Sequence, residues 1–360
     1  MKAAILRTIP GELTIEDVDI DRPGPREVLI RTKAAGVCHS DHHYLTGAYD
    51  TPLPTVMGHE SAGVVEAVGE LVSYVSPGDH VITSLSVFCG HCSYCLSGRM
   101  ALCPHTDTIR PPEVTPRLSQ DGEVIHQYAD VSSFAEQLLV HEHAVVKISP
   151  EMPFPQAALI GCAVTTGLGA VFRTAQVRPG ETVAVIGCGG VGLNAIQGAR
   201  IAGAGRIIAI DVVKTKLDLA KNFGATDSID ASADDPVAEL LELTSGGVDH
   251  AFDAIGLATT PAQAFAMLRA GGTATVIGMV PLGVMVEIPG VDFLAEKRIQ
   301  GSCMGSNQFR TDAQRFIDFY FDGRLELDSL ITDQIGLDKV NEAMEALTTG
   351  RVARNVIVFS

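Results

Sequence analysis

The chain has 360 residues, of which 46% are hydrophobic and 5% aromatic, with 36 glycines and no tryptophan. This length accommodates two domains with separate cores, and the composition suits an α/β protein. The net charge of −17 argues against nucleic acid or an anionic membrane surface as a partner. The first ten residues lack the charged start and apolar core of a signal peptide, so we expect a cytoplasmic protein with no membrane partner.

The eight cysteines do not indicate a disulfide scaffold. A reducing compartment keeps thiols free, and a chain of this size needs no covalent cross-links. Their distribution is more informative than their number. Four fall within Cys89–Cys103, whereas the others are scattered at Cys38, Cys162, Cys188 and Cys303.

The first part of the chain, to about Val146, consists of short, partly alternating apolar runs between Gly and Pro clusters, which predicts a β-rich domain. The segment Pro104–Asp130 is polar and weakly periodic, and we expect a surface loop there. The predicted strands are Glu27–Lys33, Gly63–Val68, Asp79–Thr83 and Ala144–Ile148.

Two segments of this domain, GVCHSDHH and GHE, carry metal-binding side chains. Cys38 and His59 are ligands suited to zinc, and Cys162 could supply a third. A catalytic zinc needs three protein ligands and one open position. Because these residues are far apart in the sequence, spacing alone does not establish a site, and a buried cysteine with a core histidine stays an alternative.

The loop CGHCSYCLSGRMALC places four thiols at the spacing C-x2-C-x2-C-x7-C. Four thiolates around one tetrahedral metal form a closed zinc site, which is structural because no position is left for substrate. An iron–sulfur cluster is the rival, although a ferredoxin run has a shorter last spacing. A pair of disulfides is a further alternative, which a reducing compartment disfavours. The four residues are Cys89, Cys92, Cys95 and Cys103.

The stretch Glu181–Asp211 has the order expected of a dinucleotide-binding βαβ unit: an apolar strand, G-x-G-x-x-G, a helix, a second strand and an acid. The pyrophosphate would lie at the helix N-terminus, where unpaired N–H groups favour anions. A carboxylate at Asp211 can accept hydrogen bonds from ribose and would repel a 2′-phosphate, so NAD is favoured over NADP. The glycines are Gly187, Gly189 and Gly192, and a purely structural turn is the alternative.

Strands alternate with helices up to about Cys303, and six strands separated by helices predict a doubly wound parallel sheet. An amphipathic helix over Thr311–Phe321 and a strand over Val356–Phe359 complete the chain. The predicted strands are Thr182–Ile186, Ile207–Ile210, Asp227–Ile229, Val248–Phe252, Ala274–Ile277 and Ile299–Cys303, and the helices between them include Lys214–Phe223, Val237–Thr244 and Thr259–Leu268.

Together GVCHSD, GHESAGVVEAVG, the four-cysteine loop, GCAVTTGLGA and GCGGVG resemble the zinc-dependent medium-chain alcohol dehydrogenase family, in the family's order and over essentially the whole chain. The resemblance implies a GroES-like zinc catalytic domain over 1–163 and 304–360, a Rossmann NAD-binding domain over 164–303, and a substrate cleft between them. It implies two zinc ions per chain and NAD as cofactor. The loop from Pro104 to Phe134 is similar to that of the longer, liver-type branch, many of whose members are dimers, so we expect a homodimer.

The resemblance also implies individual roles. Cys38, His59 and Cys162 match the catalytic zinc ligands, Asp41 matches an acid that hydrogen-bonds the histidine ligand, and Glu60 matches a carboxylate close behind the metal. Ser40 and His43 match a proton relay, which carries the proton of the alcohol out of a dry cleft. For the cofactor, His39 and Arg354 match pyrophosphate contacts and Lys216 a ribose contact, while Leu85, Phe134 and Met279 match pocket-lining positions.

The implied substrate is a primary alcohol or aldehyde carrying an alkyl, allyl or aryl group. Thiol-adduct (S-hydroxymethyl) formaldehyde dehydrogenases are the enzyme alternative. They typically have a carboxylate where this chain has Tyr49, and they typically lack the relay histidine. Two further alternatives are a non-catalytic zinc- and NAD-binding sensor and a zinc-free quinone reductase. The open metal site argues against the sensor, and the two groups of metal ligands argue against the reductase.

Overall fold

A computed structural model describes residues 1–104, 106–350 and 353–360. These residues form two compact units. The first comprises Met1–Cys162, Gln308–Gly323 and Leu327–Ser360, and the second comprises Ala163–Asn307 and Arg324–Glu326.

The first unit is β-rich and is built around the strand Glu27–Val37. Most of this strand is buried, because its apolar side chains are covered on both faces. It pairs antiparallel with Ser61–Val68, Gln137–His141 and Arg354–Val358, so the C-terminal strand lies beside an early one. The other strands are Lys2–Leu6, Leu13–Asp17, Asp19–Ile20, Thr55–Val56, His80–Thr83, Leu118–Gln120, Glu123–Val124, His126–Gln127, Val145–Lys147 and Ile331–Ile335, and the α-helices include His39–Leu45, Ser93–Leu96, Phe309–Phe321 and Val340–Thr348.

The expectation of a surface loop over Pro104–Asp130 is wrong in part. The segment contains three short strands, and Leu118 and Ile125 are each only 2% exposed. Its Arg117 donates from Nε to Oε1 of the buried Glu27 at 2.7 Å. The partners of these side chains are distant in the sequence, so local polarity and periodicity did not reveal their burial.

The second unit contains, within the described residues, the predicted six-stranded doubly wound parallel sheet. The strand order reverses between Thr182–Ile186 and Val248–Asp253, and ligands of such sheets bind outside the carboxyl ends of the strands at this point. The strands along the sheet are Asp227–Asp230, Arg206–Asp211, Thr182–Ile186, Val248–Asp253, Leu268–Val276 and Arg298–Gly301. The helices between them are Gly190–Ala202, Lys214–Phe223, Pro236–Thr244 and Thr260–Ala266.

Among the described residues one helix, Phe154–Ala175, is long and apolar enough to cross a membrane. However, 83% of its most apolar stretch is buried inside the protein. Packing in the core therefore accounts for its composition.

Candidate metal and cofactor sites

The three predicted ligands of a catalytic zinc come together in the first unit. Cys38 directly follows the central strand and precedes the helix His39–Leu45, His59 follows a short strand, and Cys162 lies on the helix Phe154–Ala175. The two sulfur atoms and the ring nitrogen lie within 4.8 Å of one another, and all three residues are buried. Two thiols and an imidazole around one point are the donor set of a catalytic zinc that keeps an open position, so these residues fit the metal.

The backbone before His59 allows one residue type. Gly58 has φ +89°, a conformation that side chains disfavour. A Cβ at this position would also lie 2.5 Å from Oγ of Ser133 and 2.6 Å from the ring of Phe134. This glycine therefore allows the chain to turn and present His59 to the two cysteines.

Asp41 lies against His59, the predicted histidine ligand. Its Oδ1 lies 3.0 Å from Nδ1 of His59, and its Oδ2 accepts the backbone N–H of Cys38 at 3.1 Å. With Nδ1 donating to the carboxylate, Nε2 of His59 is free to bind metal, and it lies 3.2 Å from Sγ of Cys162. The fully buried carboxylate thus fixes both the tautomer and the ring orientation.

Arg354 lies next to Glu60, a pairing that the sequence did not reveal. The arginine is 3% exposed, its Nη1 donates to the carbonyl oxygen of Val37 at 3.0 Å, and the same nitrogen lies 3.5 Å from Oε1 of Glu60. The pKa of Cys38 is held well below its ordinary value, mainly by a hydrogen bond from Cys162 and also by the positive charge of Arg354. The contact that the resemblance implied, between Arg354 and a pyrophosphate, stays a prediction.

Tyr128 packs against His59, the predicted histidine ligand, and is a second neighbour that sequence reasoning missed. Its ring lies edge-on to His59 with 5.6 Å between centroids, and Tyr44 lies edge-on to Tyr128 at 4.8 Å. Tyr128 lies in the segment expected to be a surface loop but is 7% exposed. An aromatic side chain in an otherwise polar segment was the available signal in the sequence.

Ser40 and His43 lie one helical turn apart on His39–Leu45. Oγ of Ser40 is 3.6 Å from Sγ of Cys38, which places the hydroxyl beside a predicted zinc ligand. His43 is half-buried, and the centroid of its ring lies 6.1 Å from the centroid of the Tyr49 ring. Burial, and secondarily His42, lower the pKa of His43 below its ordinary value, so its imidazole is neutral near pH 7 and can accept a proton.

The four cysteines of the predicted structural site also converge. Their sulfur atoms lie within 4.8 Å of one another, and Sγ of Cys92 is 3.5 Å from Cys95 and 3.7 Å from Cys103. All eight cysteines of the chain are free thiols, which excludes the disulfide alternative. Four thiols around one point, with no other donor needed, fit a closed tetrahedral zinc site.

The glycine motif follows the strand Thr182–Ile186 at the crevice of the second unit. Gly187 has φ +92°, and a Cβ at Gly192 would overlap the carbonyl oxygen of Gly187. A Cβ at Gly189 would meet no atom within 4 Å, so the space beside it is open at the N-terminus of Gly190–Ala202. That open space at a helix N-terminus is what a dinucleotide pyrophosphate needs.

Asp211 ends the neighbouring strand and is 7% exposed. Its carboxylate accepts the backbone N–H groups of Cys188, inside the glycine motif, at 2.7 Å and of Val213 at 2.9 Å. The acid is therefore held at the crevice where a ribose hydroxyl could reach it. Lys216 lies half-buried on the following helix.

The remaining predicted residues lie in different environments. His39 is exposed at the start of its helix, and Leu85 and Met279 are half-buried. Phe134 is fully buried in a core cluster of the first unit that also contains Met57. Their roles at cofactor or substrate stay predictions.

Comparison with known proteins identifies the family. Residues 24–150 match the family profile described as alcohol dehydrogenase GroES-like domain, and residues 190–320 match that of zinc-binding dehydrogenase. The S-(hydroxymethyl)glutathione dehydrogenase of Haemophilus influenzae is 39% identical over 366 aligned positions, covering 99% of this chain and 97% of the relative. The chain belongs to the zinc-dependent medium-chain alcohol dehydrogenases.

Solved structures of this dehydrogenase family agree over the full length. An alcohol dehydrogenase zinc-binding domain protein from Burkholderia ambifaria is 34% identical with a TM-score of 0.95, covering 100% of this chain and 98% of that one. Benzyl alcohol dehydrogenase from Acinetobacter calcoaceticus is 31% identical with a TM-score of 0.94, covering 100% and 99%. The chain is accordingly an oxidoreductase of a family that uses zinc and a nicotinamide cofactor, as predicted.

Proposed function

We propose that this dehydrogenase oxidises the hydroxymethyl group of an S-(hydroxymethyl) thiol adduct of formaldehyde, with NAD as the hydride acceptor. The observation that carries this proposal is the 39% identity, over 97–99% of the chain, to two enzymes named S-(hydroxymethyl)glutathione dehydrogenase. The sequence motifs favoured a primary alcohol as substrate and kept the thiol adduct as the alternative. The two relatives favour the thiol adduct instead.

Cys38, His59 and Cys162 would hold the catalytic zinc, which supplies Lewis acidity that lowers the pKa of an alcohol at its open position. Asp41 keeps Nε2 of His59 available as a ligand by accepting the proton on Nδ1. Oγ of Ser40, beside the ligands, would take the substrate proton, and the neutral imidazole of His43 would receive it.

The glycine motif and Asp211 would hold NAD, which accepts a hydride when bound. The open space at Gly189 would admit a pyrophosphate, and the carboxylate of Asp211 would repel a 2′-phosphate. We therefore propose a preference for NAD over NADP.

A primary alkyl, allylic or aryl alcohol is the second candidate substrate. Tyr49 stands where thiol-adduct enzymes typically have a carboxylate, and its ring lies 6.1 Å from His43, the relay residue that those enzymes typically lack. The similarity to benzyl alcohol dehydrogenase over the full chain also supports this candidate.

A direct comparison of substrates separates the two. The zinc-loaded enzyme is supplied with NAD and either formaldehyde plus glutathione or benzyl, allyl and ethyl alcohols, and NADH is followed by absorbance before and after chelation. We expect the highest kcat/KM with the glutathione adduct and loss of the rate after chelation. A higher kcat/KM with benzyl alcohol would contradict the thiol adduct, and no NADH from any substrate would favour the non-catalytic zinc- and NAD-binding protein.

We also propose a cytoplasmic homodimer. All eight cysteines are free thiols, the state that a reducing compartment maintains. Among the described residues, the edge strand Arg298–Gly301 has a hydrogen-bonded neighbour on one side only. Large apolar side chains in the segment before this strand are exposed. Such exposed apolar side chains beside a sheet edge suit a self-complementary contact with a second copy. They include Leu282, Met285, Val291 and Leu294, which are 64–86% exposed.

A further inference from the structure

An exposed histidine and an exposed aspartate lie beside the four-cysteine loop and belong to neither metal site described above. Nε2 of His91 lies 2.6 Å from Oδ2 of Asp107, and their side chains are 69% and 52% exposed. His91 lies in the sequence between two of the four cysteines, whereas Asp107 follows the last one. Two exposed side chains in this contact need a reason other than core packing.

With Cys89 these two residues form a second group of side chains that could hold a metal ion. The sulfur of Cys89, a ring nitrogen of His91 and a carboxylate oxygen of Asp107 lie within 4.8 Å of one another. Sulfur, imidazole nitrogen and carboxylate oxygen are the three donor types that bind zinc. Three such ligands leave one coordination position open, unlike the four thiols of the structural site.

Cys89 belongs to both sets, and this sharing connects them. A zinc ion held by four thiolates has no free coordination position, so its exchange is easier when a nearby ligand can replace one of the thiolates. Cys103 is buried with 7% of its surface exposed, whereas the His91 and Asp107 side chains face solvent. The shared thiol therefore lies between an exposed open set and a more buried closed set.

We propose that Cys89, His91 and Asp107 form an entry and exchange site for the structural zinc. The incoming zinc ion is bound by the Cys89 thiolate, whose proton passes to solvent, by the His91 imidazole and by the Asp107 carboxylate, with water at the open position. It then exchanges the imidazole, carboxylate and water for the thiolates of Cys92, Cys95 and Cys103, whose protons pass to solvent. No electron is transferred, and release follows the same steps in reverse.

Isotope exchange on the intact zinc-loaded protein tests this proposal. Protein carrying zinc-67 is mixed with an excess of natural zinc, and retained zinc-67 is followed by mass spectrometry in the wild type and in the double variant His91→Gln, Asp107→Asn. Two zinc ions per chain give two exchange phases, and the phase that is absent in a Cys95→Ser variant is assigned to the structural zinc. Glu113→Gln serves as the control, because it removes one exposed carboxylate from the same part of the chain.

We expect the double variant to slow this phase about tenfold or more, the size of effect typical for residues that support a metal site. Zinc content at equilibrium and the unfolding temperature should not change. An unchanged exchange rate, or equal slowing by Glu113→Gln, would overturn the proposal. A double variant that loses one zinc at equilibrium would also overturn it, because the pair would then maintain the site rather than admit the metal. None of these readouts depends on which alcohol the enzyme oxidises.

Discussion

His43 combines a half-buried ring with a position one helical turn after Ser40. Its lowered pKa keeps the imidazole neutral at pH 7, and protonation at lower pH would remove its ability to accept a proton. Proton transfer from the substrate should therefore slow as the pH falls through the pKa of His43, which lies below its ordinary value. We therefore expect an acid limb in the pH–rate profile, that is, a decrease in turnover as the pH falls.

Replacing His43 with Gln should lower kcat by about 10²-fold, a typical size for one acid–base group, and should remove that acid limb. The measurement is a pH–rate profile of NADH formation. His42→Gln is the matched control, since it changes the adjacent histidine of the same helix. A His43→Gln enzyme with the wild-type profile would exclude His43 from the relay.

Asp211 decides, in our proposal, between the two nicotinamide cofactors. Asp211→Gly removes a charge that repels the 2′-phosphate, so the ratio of kcat/KM for NAD to that for NADP should fall about tenfold or more, equivalent to roughly 1.4 kcal/mol. Asp230→Gly, at the end of the next strand of the sheet, is the control. Unchanged discrimination in the Asp211 variant would refute the assignment.

The four-cysteine loop is an element whose own secondary structure is slight. The described part of it contains the four-residue helix Ser93–Leu96 and the short turn Met100–Leu102, with only Cys103 of the four cysteines buried. We expect a loop with so little buried surface to depend on a bound zinc ion for its conformation, because metal binding supplies folding free energy.

Cys95→Ser should therefore cost the protein one zinc per chain and lower its unfolding temperature by on the order of 5–10 °C. Zinc analysis and calorimetry measure both quantities. Cys303→Ser, which alters an exposed cysteine outside both metal sites, is expected to change neither. A Cys95→Ser protein of wild-type stability that lacks one zinc would show that this site is not structural.

At the scale of the whole molecule, the apolar side chains near the edge strand predict the oligomeric state. Leu294 is 86% exposed, and placing a charge there should prevent burial against a second copy. Leu294→Asp should convert a dimer into a monomer in sedimentation experiments, whereas Leu96→Asp, which alters a 75% exposed leucine of the zinc loop, should not. A wild-type monomer, or a Leu294→Asp dimer, would contradict the proposed surface.

The sequence alone predicted the features that depend on neighbouring residues. The strand Thr182–Ile186 was predicted with its bounds because a short β-branched run is buried on both faces of a parallel sheet. Gly187 and Gly192 were predicted because the turn itself excludes a side chain. The close spacing of the four cysteines likewise predicted a site that one loop can complete by itself.

Apart from the zinc ligands and Asp41, which the family resemblance implied, only the tertiary structure decided which distant residues meet. Cys38, His59 and Cys162 converge because the end of a strand, a turn and the interior of a helix meet at one point, which the spacing of the three residues in the sequence does not show. The contacts of Arg354 with Glu60 and of Arg117 with Glu27 arise in the same way, from burial of charges that must find partners. Sequence patterns thus determined the elements and the local sites, whereas packing between remote segments determined the surroundings of the catalytic metal ligands, because such packing depends on the three-dimensional path of the chain.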